Sequence, residues 1–345
     1  MKLIKKKDDK KTEQEKVEER REEVLAKGRK FKYPLQWTKH RVVVNTILIA
    51  VVVLGIIITS GWLALYKFNM TDEMFFRITK IIPVSVASVD GESVRFSDYL
   101  MIYRSSITSV ERQSSQNESG GSLDELRAEY RRAALDEAEK YTYALKLAKE
   151  QGIEVSNDEI KEEFTRHLSI GGTERSEESF MKIVSDNFGL NKSEYERMLY
   201  LNLMKSKVEI AIDENANKIA NKVEKMLQEN GGNYGAVADA LGSVIELQET
   251  GGYVSTQNID GGRAAEAYKL EPGGQSGKFV SMNGDGYYFV KLIKKSEGQV
   301  NFVSIKVPFT EFDSRFESLR TEEKIKEHID PAPVKEEQSQ ENSEQ

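Results

Sequence analysis

With 345 residues and 39% hydrophobic content, the chain has room for about two domains with buried cores. It contains no cysteine, which excludes disulfides, a thiolate nucleophile and cysteine-based zinc sites. The net charge of −7 is unevenly distributed along the chain, because residues 1–41 hold 15 Lys and Arg against 8 Asp and Glu. The rest of the chain is therefore acidic, which argues against nucleic-acid binding.

The first feature along the chain is a charged leader, residues 1–41, followed by an apolar segment. Residues 42–66, VVVNTILIAVVVLGIIITSGWLALY, are 25 residues without a charge. About 20 apolar residues cross a bilayer, so this segment predicts a single transmembrane helix in the cell membrane. Basic residues precede it, and only Lys67 follows it at once. The positive-inside rule therefore places the leader in the cytoplasm and the rest of the chain outside it.

The next segment predicts a β-hairpin that leads into a helix. Residues 84–100, VSVASVDGESVRFSDYL, alternate in polarity up to Asp90 and Gly91, a strong two-residue turn pair, and a second short strand follows. The polar, Gly- and Ser-rich residues 111–122 predict a loop.

A helical block comes next. Apolar residues recur at helical spacing in four segments, at residues 123–151, 156–168, 177–188 and from 191 onward. With the hairpin, they predict a mostly α-helical domain over residues 81–212.

From residue 213 the pattern becomes mixed. A helix, a Gly-Gly break and a short helix are followed by a turn at Pro272 and Gly273 and by strands joined at residues 283–286. The alternating residues 300–307, VNFVSIKV, predict a further strand and residues 311–326 a helix. These elements predict a small α/β domain with an antiparallel sheet over residues 213–312, and hence an α+β fold overall. The tail, residues 331–345, has a disordered composition.

The helical block resembles the N-terminal domain of the SurA, trigger-factor-like and PpiD group of extracytoplasmic chaperones. Three pieces carry the resemblance, in the same order as in that group: VASVDGESVRFSDYL, LDEAEKYTYALKLAKEQGIEVSNDEI and FGLNKSEYERMLYLNLMKSKV. The resemblance implies that the domain binds unfolded or nascent exported polypeptides.

The second domain resembles a parvulin-type prolyl isomerase. The pieces that match are TGGYV, AAEAYKLEPGGQSGKFV and GDGYYFVKLIKK. The family's pocket uses two histidines, an acid or cysteine, and a Met and a Phe that floor the proline ring. Here Ile259 stands at the Met, Arg263 at the Phe and Tyr288 at the second histidine, and no histidine occurs between His167 and His328.

The strand that carries the family's first histidine is missing from the start of the domain. Residues 300–307 have its length and alternation, and would place Ser304 at the histidine position if the domain were circularly permuted. The alternative is an added edge strand. In either case the departures from the pocket predict a domain without meaningful isomerase activity.

The helical domain also offers candidate residues for binding unfolded segments. Four side chains could line a groove for unfolded segments, although core positions are the competing interpretation: Phe96, Tyr99, Met101 and Tyr103. The three histidines have no partner at helical spacing, so no metal site is expected, and no cofactor motif occurs.

These observations favour a membrane-anchored extracytoplasmic holdase, with the secretion channel as a candidate partner. An active prolyl isomerase that uses Tyr288 and Ser304 is one alternative. A non-catalytic scaffold that binds one envelope partner or itself is another.

Overall fold

The computed structural model describes residues 13–32, 34–116, 123–169, 174–258, 260–281 and 283–331. The chain forms two compact units, residues 1–67 and residues 68–345. Residues 1–12 of the predicted leader and all but Pro331 of the predicted tail lie outside the described residues.

The first unit is helical in its described residues. Helix α1 spans Glu13–Lys32 and α2 spans Pro34–Trp62, and a π-helical turn, Leu63–Lys67, follows directly. Proline suits the first position of α2 because its fixed φ is already helical and its missing N–H is not needed there. Among the described helices, one stretch is long and apolar enough to cross a membrane: Arg41–Lys67, with 27 residues, in which the mean hydropathy of an 18-residue window reaches 2.9.

The second unit begins with a short helix and the predicted hairpin. Helix α3 spans Glu73–Ile81, and strand β1, Ser85–Val89, pairs antiparallel with β2, Glu92–Arg95. Asp90 and Gly91 between them have φ of 47° and 87°. Positive φ at both turn positions matches the twist of the paired strands, which is why an Asp-Gly pair closes such hairpins. The predicted hairpin is confirmed.

Five helices follow: α4 Phe96–Gln116, α5 Leu123–Gln151, α6 Asn157–Leu168, α7 Glu177–Phe188 and α8 Lys192–Ile212. The helices α5 to α8 confirm the four predicted segments, and Ser156 and Asn191 close capping boxes at the starts of α6 and α8. The predicted loop is wrong for residues 111–116, which continue α4. Glu111 there pairs with Arg127 of α5 at 3.0 Å.

The remaining elements of the second unit are mixed: α9 Glu214–Glu229, α10 Tyr234–Leu241, β3 Glu246–Glu249, β4 Val254–Ser255, α11 Arg263–Tyr268, β5 Phe279–Val280, β6 Gly286–Ser296 and β7 Gln299–Pro308. The antiparallel sheet has the order β3-β7-β6-β5, and β4 also pairs with β7. Phe289 and Ile305 belong to the core cluster that includes residues of α9 and α10, whereas Val290 and Phe302 cluster with residues of α11. The expected α+β fold is confirmed.

The strand predicted at residues 300–307 is β7, and it lies inside the sheet between β3 and β6. The alternative of an added edge strand is therefore wrong. A central place is what the permutation hypothesis requires of this strand, but the hypothesis itself stays a prediction.

The C-terminal segment differs from its prediction. Helix α12 spans Glu311–Thr321, and β8, Ile325–Glu327, pairs with β1 to form the sheet β2-β1-β8. The predicted helix at residues 311–326 is thus wrong at its end. Glu323 takes a φ of 56°, and the amide of Lys324 donates to the carbonyl of Leu319 at 2.9 Å, which closes the helix as a Schellman motif does.

Asp213 accepts hydrogen bonds from backbone amides at both ends of the sheet domain. Its Oδ1 accepts from the amide of Ala216 at 2.8 Å, and its Oδ2 accepts from the amides of Thr310 and Glu311 at 2.8 and 3.1 Å. One buried carboxylate therefore caps the starts of both α9 and α12.

Candidate functional site

Three of the predicted pocket positions come together on the face of the sheet that packs against α11. Arg263 opens α11, Tyr288 lies in β6 and Ser304 in β7. The guanidinium carbon of Arg263 lies 5.3 Å from the Tyr288 ring centre, and Nη1 lies 3.5 Å from the Ser304 hydroxyl. The fourth position, Ile259, lies outside the described residues.

The guanidinium of Arg263 is held on several sides. Its Nε donates to the carbonyl of Asp260 at 2.8 Å, and Nη1 donates to the side chain of Gln248. Tyr288 and Ser304 are 4% and 1% exposed. A cation stacked on a buried ring thus stands where the parvulin resemblance places an apolar floor.

The hydroxyl of Tyr288 belongs to a second cluster of polar side chains. It donates to Asp285 at 3.1 Å, and Asp285 also accepts from Ser281 at 2.5 Å and pairs with Lys306 at 3.0 Å. Burial raises the pKa of Tyr288 above its usual value. Burial also acts to raise the pKa of Asp285, but the hydrogen bonds from Ser281 and Lys306 outweigh it and leave that pKa lowered. At neutral pH the phenol is therefore neutral and the carboxylate ionised, which suits a fixed network better than proton transfer.

The four side chains predicted to line a peptide groove are all buried. Phe96 and Tyr99 are each 1% exposed and pack edge to face at 5.5 Å, while Met101 and Tyr103 are 2% and 4% exposed. Burial favours the competing interpretation that they belong to the core. Contact with a client would need the domain to open, and it stays a prediction.

A cleft of about 580 Å³ lies between the helical block and the sheet domain. The residues that line it come from α6, α8 and the segment before β6, and they include His167, Asn202, Leu203, Lys205, Glu209 and Asn283. The sequence analysis missed this cleft. No local signal could have shown it, because one wall lies within residues 163–209 and the other within residues 280–284.

The cleft floor depends on a close approach at Gly284. This residue has a φ of +68°, and a Cβ on it would lie 2.7 Å from the hydroxyl of Ser206 in α8. A side chain here would be strained and would also clash, so glycine allows the turn before β6 to rest on α8.

The helical wall of the cleft carries charges of both signs. Glu163 faces His167 at 3.2 Å and Arg166 at 2.8 Å, and the hydrogen bond from His167 lowers the pKa of Glu163 against the opposing effect of burial. Burial raises the pKa of Glu209, which pairs with Lys205 at 3.0 Å. Among the described residues, no group of three or more His, Asp or Glu side chains could hold a metal ion.

Comparison with known proteins agrees with the fold. The sequence model of a family described as the SurA-like N-terminal domain matches residues 35–209, about half of the chain. None of the curated proteins compared with the chain matches it. The matched range covers the apolar helix, the first hairpin and nearly all of the helical block, and on this evidence the chain belongs to the SurA-like chaperone family.

Proposed function

We propose that the protein is a membrane-anchored extracytoplasmic holdase whose parvulin-like domain, residues 213–312, does not isomerise proline. The cleft between the helical block, residues 81–212, and the sheet domain carries this proposal. In a family that binds unfolded polypeptides, an open cleft with hydrogen-bonding groups and partly apolar walls is a suitable place for an extended segment.

The lack of isomerase activity is supported by Arg263. Twisting an X-Pro bond meets a barrier of about 18–20 kcal/mol that comes from amide resonance. A catalyst lowers it by enclosing the bond in an apolar pocket beside suitable polar groups. Arg263 stacks on Tyr288 and contacts Ser304, so the apolar floor is replaced by a charged group with fixed partners.

The anchor is supported by the apolar stretch Arg41–Lys67, whose length exceeds the roughly 20 residues that cross a bilayer. Basic residues precede it, so we infer a cytoplasmic N-terminus and a single pass. This orientation would place the cleft outside the cytoplasm, where exported chains emerge from the secretion channel.

The charged lining of the cleft favours a second candidate. A holdase for many clients needs apolar surface, whereas Glu163, Lys205 and Glu209 would suit one partner with matching charges. A non-catalytic scaffold therefore stands beside the holdase.

The test uses the full chain in lipid nanodiscs. Light scattering would follow the aggregation of a chemically unfolded client, and an X-Pro tetrapeptide assay would follow isomerisation. We expect suppressed aggregation and an isomerisation rate no faster than without protein. Asn283→Trp, which puts bulk at the cleft, should weaken the suppression, while Asn187→Trp on the exposed face of α7 should not.

The outcomes separate the candidates. Catalysis of isomerisation that is lost in Tyr288→Phe would refute the proposal that the parvulin-like domain is inactive. Suppression that both tryptophan variants retain would refute the cleft as the binding surface. Absence of both activities would favour the scaffold.

A further inference from the structure

Helix α3 has one packed face and one bare apolar face. Phe76 and Thr79 are each 2% exposed, whereas Met74, Ile78 and Ile81 are 60%, 40% and 84% exposed. The exposed positions lie three or four residues apart, so they form one stripe along the helix.

The stripe continues into the residues that flank α3. We call the exposed apolar side chains of this region the juxtamembrane face: Phe68, Met70, Met74, Ile78, Ile81 and Ile82. Six large apolar side chains within fifteen residues are far more than scattered surface exposure, and such a concentration marks a surface that another apolar phase covers.

The juxtamembrane face belongs to a fixed element. The Phe76 ring packs under the guanidinium of Arg104 at 4.7 Å, and Lys80 pairs with Glu194 of α8 at 3.3 Å. Before the helix, the Asn69 side chain donates to the carbonyl of Asp330 at 2.8 Å. The folded unit therefore presents this face in one orientation.

Chain length decides what can cover the face. The apolar stretch proposed to span the membrane ends at Lys67, and α3 begins at Glu73. The connection is residues 68–72, and six extended residue steps reach at most about 20 Å. A helix of nine residues held that close to the bilayer surface lies within reach of lipid, and its exposed Arg77, which also pairs with Glu73, can reach lipid phosphates.

We propose that α3 is an interfacial helix, with the juxtamembrane face buried in the outer leaflet of the membrane and the folded extracytoplasmic unit held against the bilayer. This inference rests on the proposed anchor. It adds a second membrane contact, so that the connection at residues 68–72 does not alone set the height of the cleft-bearing unit above the bilayer.

The absence of cysteine makes the test direct, because each introduced cysteine is the only labelling site. Ile78→Cys probes the face, and Ile183→Cys is its matched control, an isoleucine of 41% exposure on α7 compared with 40% at Ile78. Val52→Cys, within the apolar stretch, reports the anchor itself. Each full-length variant would carry an environment-sensitive fluorophore in vesicles of phosphatidylcholine and phosphatidylglycerol.

Quenching by aqueous iodide and by nitroxide lipids reports whether the label lies in water or in the bilayer. We expect aqueous iodide to quench the label at residue 78 at least about three-fold less than the label at residue 183, and lipids with a shallow nitroxide to quench residue 78 but not residue 183. Lipids with a deep nitroxide should quench residue 52.

Each other outcome overturns a defined claim. Deep quenching at residue 52 with equal iodide quenching at residues 78 and 183 would refute the interfacial helix and leave the anchor standing. No lipid quenching at residue 52 would refute the anchor, and the inference with it. Shielding of residue 78 from iodide without nitroxide quenching would show that protein covers the face, either a second copy or, if the shielding needs added client, an unfolded chain.

Discussion

The buried carboxyl of Glu139 in α5 makes the stability of the protein depend on pH. Glu139 is 0% exposed, and neither of its oxygens accepts a hydrogen bond. Arg320 approaches to 3.6 Å but is hydrogen-bonded to Asp136, and the nearby Arg132 is committed to Glu327 at 2.7 Å. Burial therefore dominates and raises the pKa of Glu139 from 4.5 to about 8.

The sign and size of the effect follow from the two pKa values. Between pH 4.5 and pH 8 the unfolded chain releases this proton while the folded chain keeps it, so the free energy of unfolding falls as pH rises. Each pH unit in this window changes the free energy of unfolding by about 1.4 kcal/mol, and the loss is about 3 kcal/mol at pH 7 and about 4 kcal/mol at pH 8, where the folded carboxyl is itself half ionised. Glu139→Gln cannot ionise and should avoid this loss.

The measurement is urea unfolding of the full chain in mild detergent, followed by circular dichroism at several pH values. Glu139→Gln should match the parent protein near pH 4.5 and exceed it by about 3 kcal/mol at pH 7. Other groups titrate in both proteins, so their contributions cancel in the difference. Glu129→Gln, at an exposed position of the same helix, should change stability by no more than about 0.5 kcal/mol at any pH.

The reasoning would be refuted by a Glu139→Gln variant that is less stable than the parent protein above pH 7. That result would mean that Glu139 is ionised in the folded state and that its attraction to Arg320 outweighs the cost of burial.

Three further predictions use the same unfolding assay. Gly284→Ala should lower the free energy of unfolding by about 1–2 kcal/mol more than Gly298→Ala, because both glycines have φ near +67° but only Gly284 faces a close neighbour. Equal losses would show that the expected clash with Ser206 does not occur. Asp213→Ala should lower the free energy of unfolding by about 2–4 kcal/mol, because three backbone amides lose a charged acceptor. A loss below about 1 kcal/mol would show that water replaces the carboxylate. A double-mutant cycle on Arg132→Ala and Glu327→Ala should give a coupling energy of about 1 kcal/mol, because this ion pair joins α5 to β8 through two hydrogen bonds. The coupling energy should shrink in high salt because both side chains are partly exposed. Additive losses of stability would show that the pair does not stabilise the fold.

The local elements were predictable because their signals lie within a few residues. Ser156 and Asn191 start helices whose first turns carry Glu159 and Glu194, and those glutamates return the hydrogen bond. Asp90 and Gly91 supply the two positive φ values that a tight hairpin needs. In each case one short motif contains both the donor and the acceptor, or both halves of the turn.

Elements that depend on distant partners could not be predicted in this way. Strand β8 is three residues long, and it is a strand only because β1, more than two hundred residues earlier, offers a free edge. The helix before it ends at Thr321, and the positive φ that follows it falls on Glu323 and not on a glycine, so the usual stop signal is absent from the sequence.

The candidate sites show the same division. Arg263, Tyr288 and Ser304 could be named because a family resemblance supplied their expected roles, and the structure brings them within contact of one another. The cleft had no such guide, since its floor includes Gly284, where a turn of the sheet domain closely approaches Ser206. A change at Gly284 should therefore alter client binding without touching any residue that a motif search would select, and Gly298→Ala, strained to a similar degree but open to solvent, should leave binding unchanged. If both alanine variants bound client equally well, the contact of Gly284 with Ser206 would not be what shapes the binding surface.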